Sequence, residues 1–151
     1  LRLNEDGSFA DVPAAGLVLV PLAQYLAQRE ALQARGNVGV WFAAADEVES
    51  LGDEAGKLAV IAVEFPAFTD GRGFTTGRLL RERYGYSGEL RAFGDVFKDT
   101  LNYLVRCGFD SFAVREDKDI AEALKGLDDF TEFYQADAAN LPLFRRRALA
   151  A

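Results

Sequence analysis

The sequence predicts an α/β protein of about five βα units, a mostly parallel sheet with helices on its faces. Short runs of apolar and β-branched residues alternate about five times with stretches whose apolar residues recur at helical spacing. The links between them are a few residues long, as in βα units. The run LAVIAVE at residues 58–64 is almost continuously apolar, the mark of a parallel strand buried on both faces. Eight such units would close a barrel. Five leave two architectures, an open doubly wound sheet or a partial barrel.

Residues 1–16 form a polar lead-in, with Asp6-Gly7 as a turn signal. The first strand is GLVLV at 16–20, and Pro21 stands where a helix can begin. Leu22, Tyr25, Leu26, Arg29 and Leu32 then recur at helical spacing until Gly36-Asn37 stops them. VGVWF at 38–42 is the second strand, 46–51 a short acidic helix, and 58–64 the third strand. A loop at 65–74 leads to a helix over 75–84 that carries Leu79, Leu80 and Tyr84 on one side. ELRAF at 89–93 is the fourth strand. A longer helix over 95–107 bears a stripe of Phe97, Leu101, Leu104 and Val105, and Gly108 caps it. The fifth strand is 111–115. The fifth helix, 119–127, turns Ile120, Ala123, Leu124 and Leu127 inward, and 130–135 is a last extended segment before a tail at 136–151. No linker or repeat divides the 151 residues, so one domain is expected.

Composition removes whole classes of chemistry. There is no histidine, which excludes Ser-His and Cys-His nucleophiles and imidazole metal ligation from this sequence. Cys107 is the one cysteine, so neither an internal disulfide nor a cysteine-cluster metal site can form, and no metal site is expected. Proton transfer falls to carboxylates, Tyr, Lys or a bound cofactor whose identity the sequence leaves unknown. A formal charge of -7 argues against general affinity for nucleic acid. The basic tract Arg145-Arg146-Arg147 is either a solvated tail or a docking tail for an acidic partner. No apolar run reaches the roughly 20 residues that span a bilayer, and the start lacks a signal-peptide layout, so the cytoplasm is the expected compartment. The absence of methionine implies that Leu1 is not the translation start.

Ligands of parallel α/β folds bind at the carboxyl ends of the strands. That rule selects Glu64, at the end of the third strand; Asp70 and Arg72 in its loop; Arg91 and Asp95 in and after the fourth; and Arg115 at the end of the fifth. Within 69–76, Gly71 and Gly73 flank Arg72, and Thr75 or Thr76 is a natural N-cap, a combination suited to a phosphate, sulfate or carboxylate. The alternative is a turn at Asp70-Gly71 with Arg72 paired to Asp70, Glu64 or Asp95. Arg91 and Arg115 complete the anion-binding set. Asp95 is first an N-cap candidate for the long helix and second a catalytic base. Glu64 is expected to be largely buried and bonded to an arginine, with Arg72 and Arg91 as candidates, in either a structural pair or a catalytic role. Cys107, in the last turn of a helix, reads as buried packing. Trp41, Phe42, Phe65, Phe68, Phe74 and Phe93 crowd the strand ends as core, apolar pocket or partner surface.

Three longer motifs stand out: E-F-P-x-F-x-D-G-R-G-F/Y at 64–74, L-R-E-R-x-G-Y-x-G-E-L-R-A at 80–92, and G-D-V with R-C-G-F-D-x-F at 94–96 and 106–112. From Phe65 to Arg115 the chain resembles a bacterial family known mainly as a conserved domain of unknown function. Members of that family often carry an oxidoreductase label, and their genes often lie beside those of assimilatory sulfate and sulfite reduction. The resemblance implies a role near sulfite reductase and supplies no catalytic residues. The oxidoreductase label fits the residues poorly, because there is no dinucleotide fingerprint, no cysteine pair and no haem or iron–sulfur ligand set.

Three readings follow. The first is a noncatalytic accessory protein that binds sulfite reductase or another sulfur-assimilation enzyme. The second is a small enzyme acting on an anion held by Arg72, with Glu64 or Asp95 as acid or base. The third is a structural subunit, dimeric where an open barrel edge needs cover.

Overall fold

Five strands pair in the order in which they occur along the chain, β1-β2-β3-β4-β5, every pair parallel. The computed structural model describes residues 1–127. The extended segment expected at 130–135, the tail at 136–151 and its basic tract Arg145–Arg147 lie outside the described residues. The strands are β1 Val18–Pro21, β2 Val38–Phe42, β3 Val60–Phe65, β4 Glu89–Gly94 and β5 Ser111–Phe112.

Sequential order decides between the two architectures. Crossovers between parallel strands are right-handed, and a sheet that always advances in one direction therefore places every crossover on the same face. A doubly wound sheet needs a reversal of strand order, and none occurs here. The sheet is singly wound, the order found in a segment of a βα barrel.

Burial follows that geometry. Val18 and Val20, Val38, Val40 and Phe42, Ile61, Val63 and Phe65, and Leu90 and Ala92 alternate onto one face and join a single apolar cluster with the helices. Each fully buried aliphatic or aromatic side chain there contributes about 1.5–3 kcal/mol. The opposite face presents Leu19, Trp41, Ala62, Glu64, Arg91, Phe93 and Ser111, in the registers Trp41↔Ala62↔Arg91↔Ser111 and Glu64↔Phe93. Among the described residues no helix lies on that face; residues 1 and 2 do. Trp41 Nε1 donates to Leu1 O at 2.8 Å, and the Arg2 guanidinium sits over the Trp41 ring.

The helices depart from expectation mainly at their ends. The helix expected from Pro21 to the stop at Gly36-Asn37 is two, α1 Leu22–Ala27 and α2 Arg29–Arg35, broken where Gln28 leaves helical geometry. Leu22, Tyr25 and Leu32 still point inward, so the apolar spacing survives the break. After α2, Arg35 donates to the carbonyls of Pro13, Gly16, Gly36 and Asn37, tying the lead-in to the start of β2. The segment 46–51 holds a 3₁₀ turn, Val48–Ser50, rather than an α-helix, a second 3₁₀ turn follows at Gly52–Lys57, and Val48, Leu51 and Ala55 are buried.

Helix α3 runs Arg72–Glu82 and α4 Lys98–Arg106. Leu101 and Leu104 of the α4 stripe are buried, whereas Val105 is exposed. Gly108, at φ +98°, closes α4 as expected. The fifth strand is two residues long rather than five. The fifth helix, α5, is Ile120–Leu124 followed by a 3₁₀ turn, with Ala123 buried but Ile120 and Leu124 exposed.

The second and third motifs build a staple. Arg81 of α3 donates from Nε to Gly108 O, from Nη1 to Tyr86 O and Gly88 O, and from Nη2 to Asp110 Oδ2 at 2.8 Å. Asp110 in turn accepts from the Leu90 N–H. One side chain thus joins α3, the turn before β4 and the turn before β5. Tyr86 packs beneath it, with its phenol pushed up to about 12 by burial and bonded to Glu89 O.

Candidate functional site

The side chains selected from the sequence fall into two groups. At the carboxyl ends of β3, β4 and β5 lie Gly71, Arg72, Gly73, Thr75, Thr76, Asp95 and Arg115. On the helix-free face lie Glu64 and Arg91.

At the carboxyl-terminal rim the loop 66–71 is pinned from two sides. Asp70 turns it, its N–H bonded to Ala67 O, and accepts from Arg72 N–H, Nε at 3.0 Å and Nη2 at 2.7 Å. The Arg72 guanidinium holds the Asp70 carboxyl down at about 2. Of the three partners considered for Arg72, the structure selects Asp70. Helix α3 begins at Arg72 itself, after Gly71, so neither Thr75 nor Thr76 is its N-cap. Both lie inside the helix, and the Thr76 hydroxyl bonds back to Arg72 O. Gly73 is needed for packing, since a Cβ there would stand 2.7 Å from the buried Phe65 ring. Arg72, Thr75 and Thr76 border a groove of about 360 Å³ whose other wall includes Asp46, Glu47 and Glu49. Three carboxylates facing an already paired arginine disfavour an anion there.

Asp95 is not the cap of α4. Strand β4 continues to Gly94, whose φ of +99° and contact with Phe65 O admit no side chain. The helix starts later, where the Thr100 hydroxyl accepts from the Phe97 N–H and donates to Phe97 O. Asp95 instead bridges two loops. Its Oδ2 accepts from the Phe68 N–H at 2.7 Å, and its Oδ1 accepts from Arg115 Nη1 at 2.7 Å. Arg115 also grips Asp117 with Nε and Nη2, and both contacts raise its pKa, with Asp95 the larger cause.

This bridge presents an aromatic pair that the sequence did not single out. Phe68 is 62% exposed, and its ring lies 5.5 Å from that of Phe97. Phe68 is one of several aromatics near the strand ends, and no spacing in the sequence marks it as the exposed one. Phe42 and Phe65, of the same group, are core.

Glu64 is mostly buried, its side chain 22% exposed, and bonded to an arginine that is neither Arg72 nor Arg91. It pairs with Arg2 at 3.4 Å, an arginine 75% exposed in the lead-in. Alternation along β3 places Glu64 opposite the helix side, which separates it from the rim. Arg91 donates from Nε and Nη2 to Glu89 Oε1 and from Nε to Ser111 Oγ. Cys107 is buried, and burial pushes its thiol up. Among the described residues no three acidic or cysteine side chains gather as a metal site, and no helix is long and apolar enough to cross a membrane.

A sequence profile of bacterial proteins of unknown function, DUF934, matches residues 39–144. This chain belongs to that family. The match takes in β2 to α5 and all three motifs, so the DUF934 signature spans both the Arg81 staple and the Asp95–Arg115 bridge. No curated protein matches the chain.

Proposed function

We propose that this DUF934 protein is a noncatalytic accessory protein of assimilatory sulfate and sulfite reduction, and that it docks a pathway enzyme, sulfite reductase foremost, through Phe68 and Phe97. One observation carries the docking surface. A large apolar side chain is held out in solvent by a charged bridge rather than folded into the core. The Asp95 carboxylate fixes the Phe68 backbone, Arg115 fixes Asp95, and Phe97 backs the ring. A rim aromatic ordered before binding loses little entropy on contact, which is how interface anchors gain affinity. The pathway comes from the family resemblance.

The enzyme reading has less support. Arg72, Asp95 and Arg115 are each committed to ion pairs. The carboxyl groups at the rim whose pKa is displaced, Asp70 and Asp117, move downward, away from the proton-carrying state a general acid needs.

The test is capture of sulfite reductase from native extract at mild salt by the intact protein, beside Phe68→Ser. The parent retains the reductase and the variant loses at least about tenfold, the loss expected of an interface anchor. Absence of the reductase from repeated parent captures, or equal capture by both proteins, overturns the proposal.

A further inference from the structure

The helix-free face of the sheet holds a groove of about 340 Å³, within the size range of small-molecule sites. Its floor is Ala62, a small residue between the rings of Trp41 and Phe93, which meet edge to face at 5.8 Å. Arg2 and Arg91 stand on its walls, and Ala113 leaves one end open. Glu64 and Glu89 pair with these arginines on the same face of the sheet, and among the described residues neither carboxylate lines the groove. The Arg91 guanidinium is oriented through Nε and Nη2 by Glu89 and Ser111, and among the described residues its Nη1 has no hydrogen-bond acceptor.

We infer that this groove is a binding site for a planar aromatic anion, its ring against Trp41 and Phe93 and its charged group on Arg91. The chemistry is that of aromatic surface beside a pre-oriented guanidinium fork. Arg2, over the Trp41 ring at 6.0 Å, supplies a second positive charge at the opposite wall. The site is distinct from the Phe68 rim, and the inference does not depend on the docking function.

Trp41 is the one tryptophan of the chain, so its emission reports the groove directly. The experiment titrates the full chain with three compounds: 4-nitrobenzoate (ring and charge), 4-nitrobenzyl alcohol (ring alone) and acetate (charge alone). Saturable quenching by 4-nitrobenzoate is expected, with a Kd of about 1 mM or below for a ligand of this size. The alcohol binds at least about tenfold more weakly, the worth of one charge-assisted bond, and acetate leaves the emission unchanged. Arg91→Gln brings 4-nitrobenzoate to the level of the alcohol. Ala113→Phe, at the exposed end, blocks both ring compounds without touching the Glu89 pair. Linear, unsaturable quenching by both nitro compounds overturns the site. Saturable binding that survives both substitutions places the ligand elsewhere and overturns it equally. Neither variant alters Phe68, so reductase capture by Arg91→Gln separates failure of this site from failure of the docking surface.

Discussion

Two grooves of nearly equal size lie on this protein, and they carry opposite charge. The rim groove, at the place where parallel α/β folds bind ligands, sets Asp46, Glu47 and Glu49 against one arginine that Asp70 already holds in a forked pair. The groove on the helix-free face is lined by two arginines and, among the described residues, by no carboxylate, with Glu64 and Glu89 pairing those arginines beside it. Fold position therefore points to the first and local charge to the second. What a guanidinium can do for a ligand depends on where its counter-ion stands. Asp70 and Asp117 line the rim beside Arg72 and Arg115, whereas Glu89 takes the Nε and Nη2 of Arg91 without lining the groove among the described residues.

The comparison breaks first at the element both regions hang from. Arg81 is 17% exposed on its side chain and serves three backbone carbonyls and Asp110. Arg81→Met keeps the stem and strands those acceptors, which should cost about 3 kcal/mol or more. Urea unfolding measures it; a loss below about 1 kcal/mol would mean that the carbonyls find other donors.

A sharper contrast sets Asp95 beside Glu64, the two carboxylates proposed for proton transfer from the sequence. Asp95→Ala removes charged hydrogen bonds to the Phe68 backbone and to Arg115, worth about 2 kcal/mol in all. Glu64→Ala removes a long contact to an exposed arginine and should cost under about 1 kcal/mol, well below the cost of breaking a buried pair. Denaturation midpoints of the two variants should rank in that order, and the reverse order would make the helix-free face the better-organised region.

The smallest effect concerns the Asp70–Arg72 pair. The folded carboxyl titrates at about 2, below the roughly 3.9 of an unpaired aspartate. The pair's contribution to stability is therefore complete above about pH 4 and is lost as pH falls through 2. Carbon-13 NMR of the Asp70 carboxyl across that range checks it. A midpoint near 4 would leave Arg72 unpaired and available to an anion.

The alternation of strands and helices was legible because its signals are local. VGVWF at 38–42 follows Gly36-Asn37 and is a strand over the expected residues. Helix α3 began three residues early because Gly71 precedes it in right-handed geometry without a side-chain cap, so the threonines that looked like caps were misleading. Asp95 misled in the same way, because Phe97 and Thr100 close the N-terminus of α4 between them. Strand order, and with it the face that helices leave bare, is not written in any single segment. Nor is the exposure of Phe68, which depends on Asp95 arriving from another loop.

The four carbonyls gathered by Arg35 tie the lead-in to the end of α2 through a single side chain. Pro13 and Gly16 can meet that guanidinium only after α2 has ended and β2 has turned away at Gly36 and Asn37. The lead-in, exposed along most of its length and held here by one side chain, is expected to open locally before the core does. Its amides should exchange with solvent at a free energy well below that of global unfolding. Arg35→Ala should lower the protection of the amides around residues 13–16 and leave residues 1 and 2 on their own contacts with Trp41 and Glu64.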